Sequence, residues 1–139
     1  LEMVIAGTGP ALDQLKSELP EAIYLGWVEQ KNLPQVYSSS DLLILPSKFD
    51  TFGCVIIEAM SCGLPVLAYN TKGPKDIIEN GENGYLAHNL NEMITLGELY
   101  FSDKKKVQSF RNSAITRAKH FNADAIIADF MESLGLYMQ

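Results

Sequence analysis

The sequence predicts a doubly wound α/β fold, a parallel sheet with helices on both faces, followed by C-terminal helices. Three observations carry this. Short β-rich runs alternate with helical patterns over the first two-thirds of the 139 residues. Gly or Pro punctuates most junctions. Runs such as Leu42, Leu43, Ile44 and Leu45 are continuously apolar, as a strand shielded from water on both faces requires. The strands read as residues 1–6, 23–27, 42–45, 66–69 and, more weakly marked, 85–87, with helical patterns at 11–18, 33–38, 53–61 and 75–79. From Asn91 the pattern is helical throughout. Val107, Phe110, Ala114, Ala118 and Phe121 recur at spacings of three or four. Asn122, a capping residue type, then precedes Ile126, Phe130, Leu134 and Tyr137 or Met138. Two C-terminal helices are expected.

The chain is the size of one domain, and residues 1–139 read as a single unit with no repeat, low-complexity stretch or dividing linker. With 47% hydrophobic and 20% charged residues it can bury a core without disulfide staples. No apolar run approaches the roughly 20 residues that span a bilayer. The chain opens on Leu1, directly in a strand pattern, and reads as truncated at its N-terminal edge. Cys54 and Cys62, about 12 Å apart along a helix, are out of disulfide reach and point to a reducing, cytoplasmic compartment.

The net charge of −6 is uneven: residues 1–103 hold 5 cations and 14 acids, residues 104–139 hold 6 cations and 3 acids. An acidic body argues against a nucleic-acid binder, whose affinity comes from many Lys and Arg contacts to phosphate. The basic stretch from Lys104 to Lys119 is either a solvated face or a contact for anionic lipid or another domain.

The most informative segment runs from Lys48 to Ala68, K-F-D-T-F-G-C-V-I-I-E-A-M-S-C-G-L-P-V-L-A. It follows a strand and opens a helix. Asp50, Thr51, Phe52 and Gly53 therefore fall beyond the carboxyl end of a strand, where open α/β sheets bind ligands. Gly53 permits close approach to the backbone, and the helix start offers free amides and the positive end of its dipole to a phosphate. Glu58, about a turn and a half into the helix, is suited to accepting hydrogen bonds from ribose or sugar hydroxyls, and Asp50 can do so from the loop. The alternative is plain structure: Val55, Ile56, Ala59 and Met60 as a buried helix face, Asp50 as a cap and Glu58 solvated.

This segment resembles the donor-binding, C-terminal half of retaining glycosyltransferases with the GT-B fold, specifically glycosyltransferase family 4. The resemblance covers nearly the whole chain: G-T-G-P from Gly7, Y-L-G-W-V from Tyr24, Y-S-S-S-D-L-L-I-L-P-S from Tyr37, the run from Phe52 to Ala68, and G-E-N-G-Y-L from Gly81. It implies a Rossmann-like domain that binds a UDP-sugar or GDP-sugar donor. It further implies transfer of a hexosyl group, with retention and without a metal or other cofactor, to a glycan or lipid-linked acceptor. The family's acidic pair falls on Asp50 and Glu58, which implies that Asp50 meets hydroxyls of the donor sugar and acts at the catalytic centre, while Glu58 binds the ribose. Amides around Phe52, Gly53 and Cys54, with Thr51 beside them, would meet sugar and diphosphate. Trp27 and Val28 match positions where the family's backbone meets the nucleobase, although Trp27 could equally be core.

The chain also departs from the family pattern. The first acid is Asp50 rather than Glu, and the next loop has Lys72, Gly73 and Asp76 in place of Gly-Gly and Glu, so each carboxylate is one methylene shorter. Lys72 and Lys75 could reach the diphosphate or remain solvated. The resemblance implies a first βα unit, with an Arg and a Lys that face the diphosphate, and an N-terminal acceptor-binding domain, and neither is expected within these residues. The expectation is that this fragment alone is inactive, and that a peripheral membrane contact belongs to the full-length protein. A nucleotide-sugar epimerase of the same plan and a non-catalytic binding module are the alternatives.

Other sites are weakly supported. The fingerprint beginning Gly7-x-Gly9 has Leu12 at its third position and reads as a tight turn. His88, His120 and the two cysteines lack metal-ligand spacing, so no metal site is expected. In a receiver-domain reading, Pro46 stands where the acceptor Asp should be.

Overall fold

A computed structural model describes residues 1–49 and 52–133. The chain divides into two compact units, Leu1–Gln35 and Val36–Gln139.

The first unit is a βαβ element. β1 (Val4–Ala6) pairs in parallel with β2 (Ile23–Gly26), and α1 (Leu12–Glu18) connects them. The Tyr24 hydroxyl donates to the Leu15 carbonyl at 2.8 Å and lies 3.0 Å from that of Leu19, which ties the strand to the end of α1. The Gly7 amide donates to the Gly26 carbonyl at 2.7 Å, so the G-T-G-P run leaves β1 as a turn fastened to the neighbouring strand. Val4, Ile23 and Leu25 stay 44%, 45% and 42% exposed; register and alternation put all three on one open face. A 3-10 turn (Gln30–Asn32) leads into α2 (Leu33–Ser38), within which the unit boundary falls.

The second unit is built on β3 (Leu43–Leu45), β4 (Val66–Tyr69) and β5 (Gly84–Ala87), all parallel and in that order. α3 (Cys54–Ser61) and α4 (Pro74–Ile77) make the crossovers. The expected alternation and parallel pairing are what the structure shows. All four residues of β4 are buried. Leu67 and Tyr69 join Tyr85, Ala87, Met93, Tyr100 and Phe110 in one apolar cluster. Alternation turns Val66 and Ala68 to the other face. α3 also packs on β4 and contributes the buried Ile56, Ala59 and Met60.

Two expectations need correction. The apolar run at residues 42–45 implied cover on both faces, yet Ile44 is 47% exposed, because the helices pack on β4 and β5 rather than on β3. The C-terminal region forms three helices rather than two: α5 (Leu90–Ser102), α6 (Lys104–Ala118) and α7 (Ala123–Ser133). The extra break is at Asp103, whose backbone is extended and whose carboxylate accepts the Lys105 and Lys106 amides at 2.9 and 3.3 Å. A single Asp thus starts a helix inside an unbroken apolar periodicity. Phe121 lies in a 3-10 turn (Lys119–Phe121) after α6. Asn122 caps α7 as expected, accepting the Ala125 amide at 2.7 Å.

Much of the basic C-terminal charge is structural. Arg111 donates to the Ser40 carbonyl at 3.0 Å. Arg117 donates through Nε to the Ile77 carbonyl at 2.8 Å and through Nη2 to that of Asp76 at 3.1 Å, with Glu79 at 3.5 Å. Lys106 lies over the rings of Tyr85 and Phe110 at 5.3 and 5.6 Å. The G-E-N-G run is equally structural. Asn83, fully buried, accepts the Glu79 amide at 3.0 Å and donates to its carboxylate at 2.8 Å. No helix of the described residues is long and apolar enough to cross a membrane.

Two predictions follow from this packing. Arg117→Met removes two charge-assisted bonds to carbonyls and should cost about 1.5–3 kcal/mol of stability, measured by urea unfolding. The Tyr100 hydroxyl donates to the Asp41 carbonyl at 2.8 Å, and burial pushes its pKa up to about 12. Because the folded value is raised, this contribution is complete below about pH 10 and is lost as pH rises through about 12. Tyr100→Phe should therefore be less stable at neutral pH and show a shallower alkaline loss, read by urea unfolding over that range.

Candidate functional site

β3 ends at Leu45, and the chain then passes Pro46 and Ser47, whose hydroxyl donates to the Phe49 carbonyl at 2.9 Å. Asp50 and Thr51 lie outside the described residues. Phe52 is exposed and Gly53 forms the N-cap of α3 with φ of +89°. A Cβ there would stand 3.0 Å from Ile56 Cδ1 and 3.2 Å from Ile77 Cδ1, so the conformation calls for glycine and a side chain would crowd both isoleucines. The helix ladder begins with the Ile56 amide on the Gly53 carbonyl at 2.9 Å. The amides of Cys54 and Val55 therefore stand outside it, and no side chain among the described residues caps this start.

Cys54 and Glu58 are four residues apart, so they share one exposed side of α3. Ile56, Ala59 and Met60 take the buried side, while Val55, which the plain-structure alternative placed there too, is 41% exposed. Glu58 is about 6 Å along the axis from the helix start. Its Oε2 lies 3.5 Å from the hydroxyl of Tyr37, a buried side chain of α2. Burial first, and then the Glu58 charge, raises the Tyr37 pKa. This pairing across 21 residues was not foreseen from sequence.

The loop after β4 presses against the same turn. Gly73, at φ of +94°, would bring a Cβ within 3.2 Å of the Phe52 carbonyl oxygen. Only a glycine lets these two backbones meet. Asp76 turns back on its own helix start and accepts the Gly73 amide at 3.2 Å, while Lys72 and Lys75 are exposed. Beyond β4 and β5, Asn70 Nδ2 and His88 Nε2 are 3.1 Å apart, and His88 Nδ1 lies 3.0 Å from Glu92. An Asn donor fits the imidazole tautomer that donates from Nδ1 to Glu92. The His88 amide also donates to Glu92 at 2.7 Å, the leading cause of that carboxyl's lowered pKa, with the ring bond second.

The structure thus brings Phe52, Gly53, Cys54 and Glu58 onto one loop and helix start. Trp27 and Val28 belong to the other unit, where Trp27 follows β2 and is 78% exposed rather than core. Among the described residues no cluster of His, Cys, Asp and Glu has the makings of a metal site.

The profile of the glycosyl transferases group 1 matches residues 1–117. The chain belongs to this family. It is 37% identical over 86 residues to a GDP-mannose-dependent alpha-mannosyltransferase of Corynebacterium glutamicum, an alignment covering 62% of this chain and 21% of that protein. It is 40% identical over 86 residues to a sulfoquinovosyl transferase of Arabidopsis thaliana, covering 58% and 17%. Among solved structures, Anabaena HepE in complex with UDP superposes with a TM-score of 0.79 at 26% identity, covering 96% of this chain and 40% of HepE. The fold is that of the GT-B glycosyltransferases. This group 1 chain spans only about a fifth of each of these two enzymes.

Gly53→Ala tests how tightly this helix start is built. It should cost about 1–3 kcal/mol through the left-handed backbone and the contacts to Ile56 and Ile77, seen as a lower urea midpoint at unchanged helix content.

Proposed function

We propose that this chain is the donor-binding part of a retaining, family 4 glycosyltransferase that moves a hexosyl group from a nucleoside diphosphate sugar to a glycan or lipid-linked acceptor. The observation that carries the reading is the start of α3. Amides outside the helix ladder lie at a turn where Gly73 packs against the Phe52 main chain, and an exposed carboxylate, Glu58, follows about one turn later on the Cys54 side of the helix. A diphosphate fits the positive end of the helix, and a ribose diol fits the acceptor oxygens of Glu58.

In this reading Asp50 orients the donor sugar from the loop and Glu58 holds the ribose. Thr51 and the amides of Phe52, Gly53 and Cys54 meet sugar and diphosphate. The leaving diphosphate takes the acceptor's proton on the face it departs from, so no protein nucleophile is required. Its growing charge is met by the helix-start amides and by cations elsewhere in the full-length protein, in place of a metal. HepE's complex with UDP and the GDP-mannose dependence of the bacterial relative support a UDP-sugar or GDP-sugar donor. The open apolar face of Val4, Ile23 and Leu25 supports a preceding βα unit as its cover, since a parallel sheet is stable when both faces are shielded. An N-terminal acceptor-binding domain completes the enzyme, and free thiols at Cys54 and Cys62 fit a cytoplasmic setting.

The test uses the full-length protein. Calorimetry at fixed salt with uridine, guanosine and adenosine diphosphates should find one base preferred, and Glu58→Gln should weaken that binding by about tenfold. Asp50→Asn should retain diphosphate binding and lower transfer by about a hundredfold. Turnover untouched by both substitutions would overturn the site assignment. A sugar altered without acceptor would point to an epimerase, and binding without consumption to a non-catalytic module.

A further inference from the structure

Glu58 sits on an exposed helix side, where a glutamate ordinarily samples several rotamers and offers its oxygens in no fixed direction. Here a hydroxyl from the core faces it. The phenol of Tyr37 is held in the core of the second unit, 8% exposed, and its hydroxyl comes out of that core within 3.5 Å of Glu58 Oε2. The segment that carries Tyr37 is itself fixed. The Ser40 hydroxyl donates to the Val36 carbonyl at 2.8 Å, the Ser40 amide donates to the Tyr37 carbonyl at 3.2 Å, and Arg111 donates to the Ser40 carbonyl at 3.0 Å. The hydroxyl is therefore a stationary donor facing a mobile acceptor.

We infer that Tyr37 is a positioning residue that anchors one oxygen of Glu58 and aims the other at the ribose, making this pair the determinant of ribose over 2′-deoxyribose in the bound nucleotide. The inference rests on Glu58 being the ribose ligand. An ionised carboxylate accepts at about four lone-pair positions, and a vicinal diol needs two of them in a fixed direction. The Tyr37 proton occupies a position on Oε2 and leaves Oε1 whole. The 3.5 Å separation exceeds the usual span of about 2.5–3.0 Å for such a bond, so there is travel left for the pair to close when the diol draws Glu58 into line. Tyr37 touches no ligand in this scheme. Its action passes wholly through Glu58.

Calorimetry on the full-length protein with UDP and GDP, each beside its 2′-deoxy counterpart, tests this with Tyr37→Phe, Glu58→Gln and the double variant. Tyr37→Phe keeps the ring in the core and removes only the donor. It should weaken ribonucleotide binding by about three- to tenfold and 2′-deoxynucleotide binding much less, lowering the preference by a similar factor. In the Glu58→Gln background the same substitution should add nothing. Equal loss of both nucleotide types, or an undiminished effect in that background, would make Tyr37 merely structural and overturn the inference. If Glu58→Gln weakens binding and Tyr37→Phe does not, the positioning role alone falls. If Glu58→Gln itself changes nothing, the ribose assignment falls and takes this inference with it.

Discussion

The second unit depends on keeping water from both sides of β4. A strand with all four residues buried cannot tolerate an open face, because each side presents apolar groups and a backbone that must be fully paired. β3 and β5 satisfy the backbone by parallel pairing. On one side Met93, Tyr100 and Phe110 close over Leu67 and Tyr69; α3 packs on the strand as well. Parallel neighbours require crossovers, and crossovers send every loop that leaves a strand's carboxyl end to the same edge. The candidate site is where those loops meet.

What distinguishes this edge is backbone density. Gly53 lies against Ile56 and Ile77, and Gly73 lies against the main chain of Phe52. Asp76 is spent on the Gly73 amide and Asn83 on Glu79. Polar residues that look available in sequence are occupied in forming turns. The carboxylate left facing outward on α3, Glu58, is touched by a hydroxyl from the core. The edge thus separates residues that build it from residues able to meet a ligand.

The fold was largely legible because its signals are local. Alternating β-rich and helical runs, Gly and Pro at the junctions, and the uniformly apolar Val66 to Tyr69 need no knowledge of distant partners. The errors occurred where a neighbour decides the outcome. Ile44 reads like a doubly covered position but lies on a strand that the helices leave for β4 and β5, and the break at Asp103 rests on one carboxylate interrupting a continuous apolar period. At the candidate site, the spacing of Gly53 and Glu58 after a strand was readable. The Tyr37–Glu58 pair, the inward turn of Asp76 and the Asn70–His88–Glu92 chain were not, since each joins groups by geometry that no sequence period encodes.

Arg117 recognises the carbonyls of Asp76 and Ile77, groups that every amino acid carries. A clamp on the main chain is indifferent to the side chains it holds. Substitution of Lys72 or Lys75, exposed on the same stretch, therefore leaves both clamping bonds in place. Anchorage through main-chain atoms thus leaves the exposed side chains of the loop free to vary at little expense to its stability.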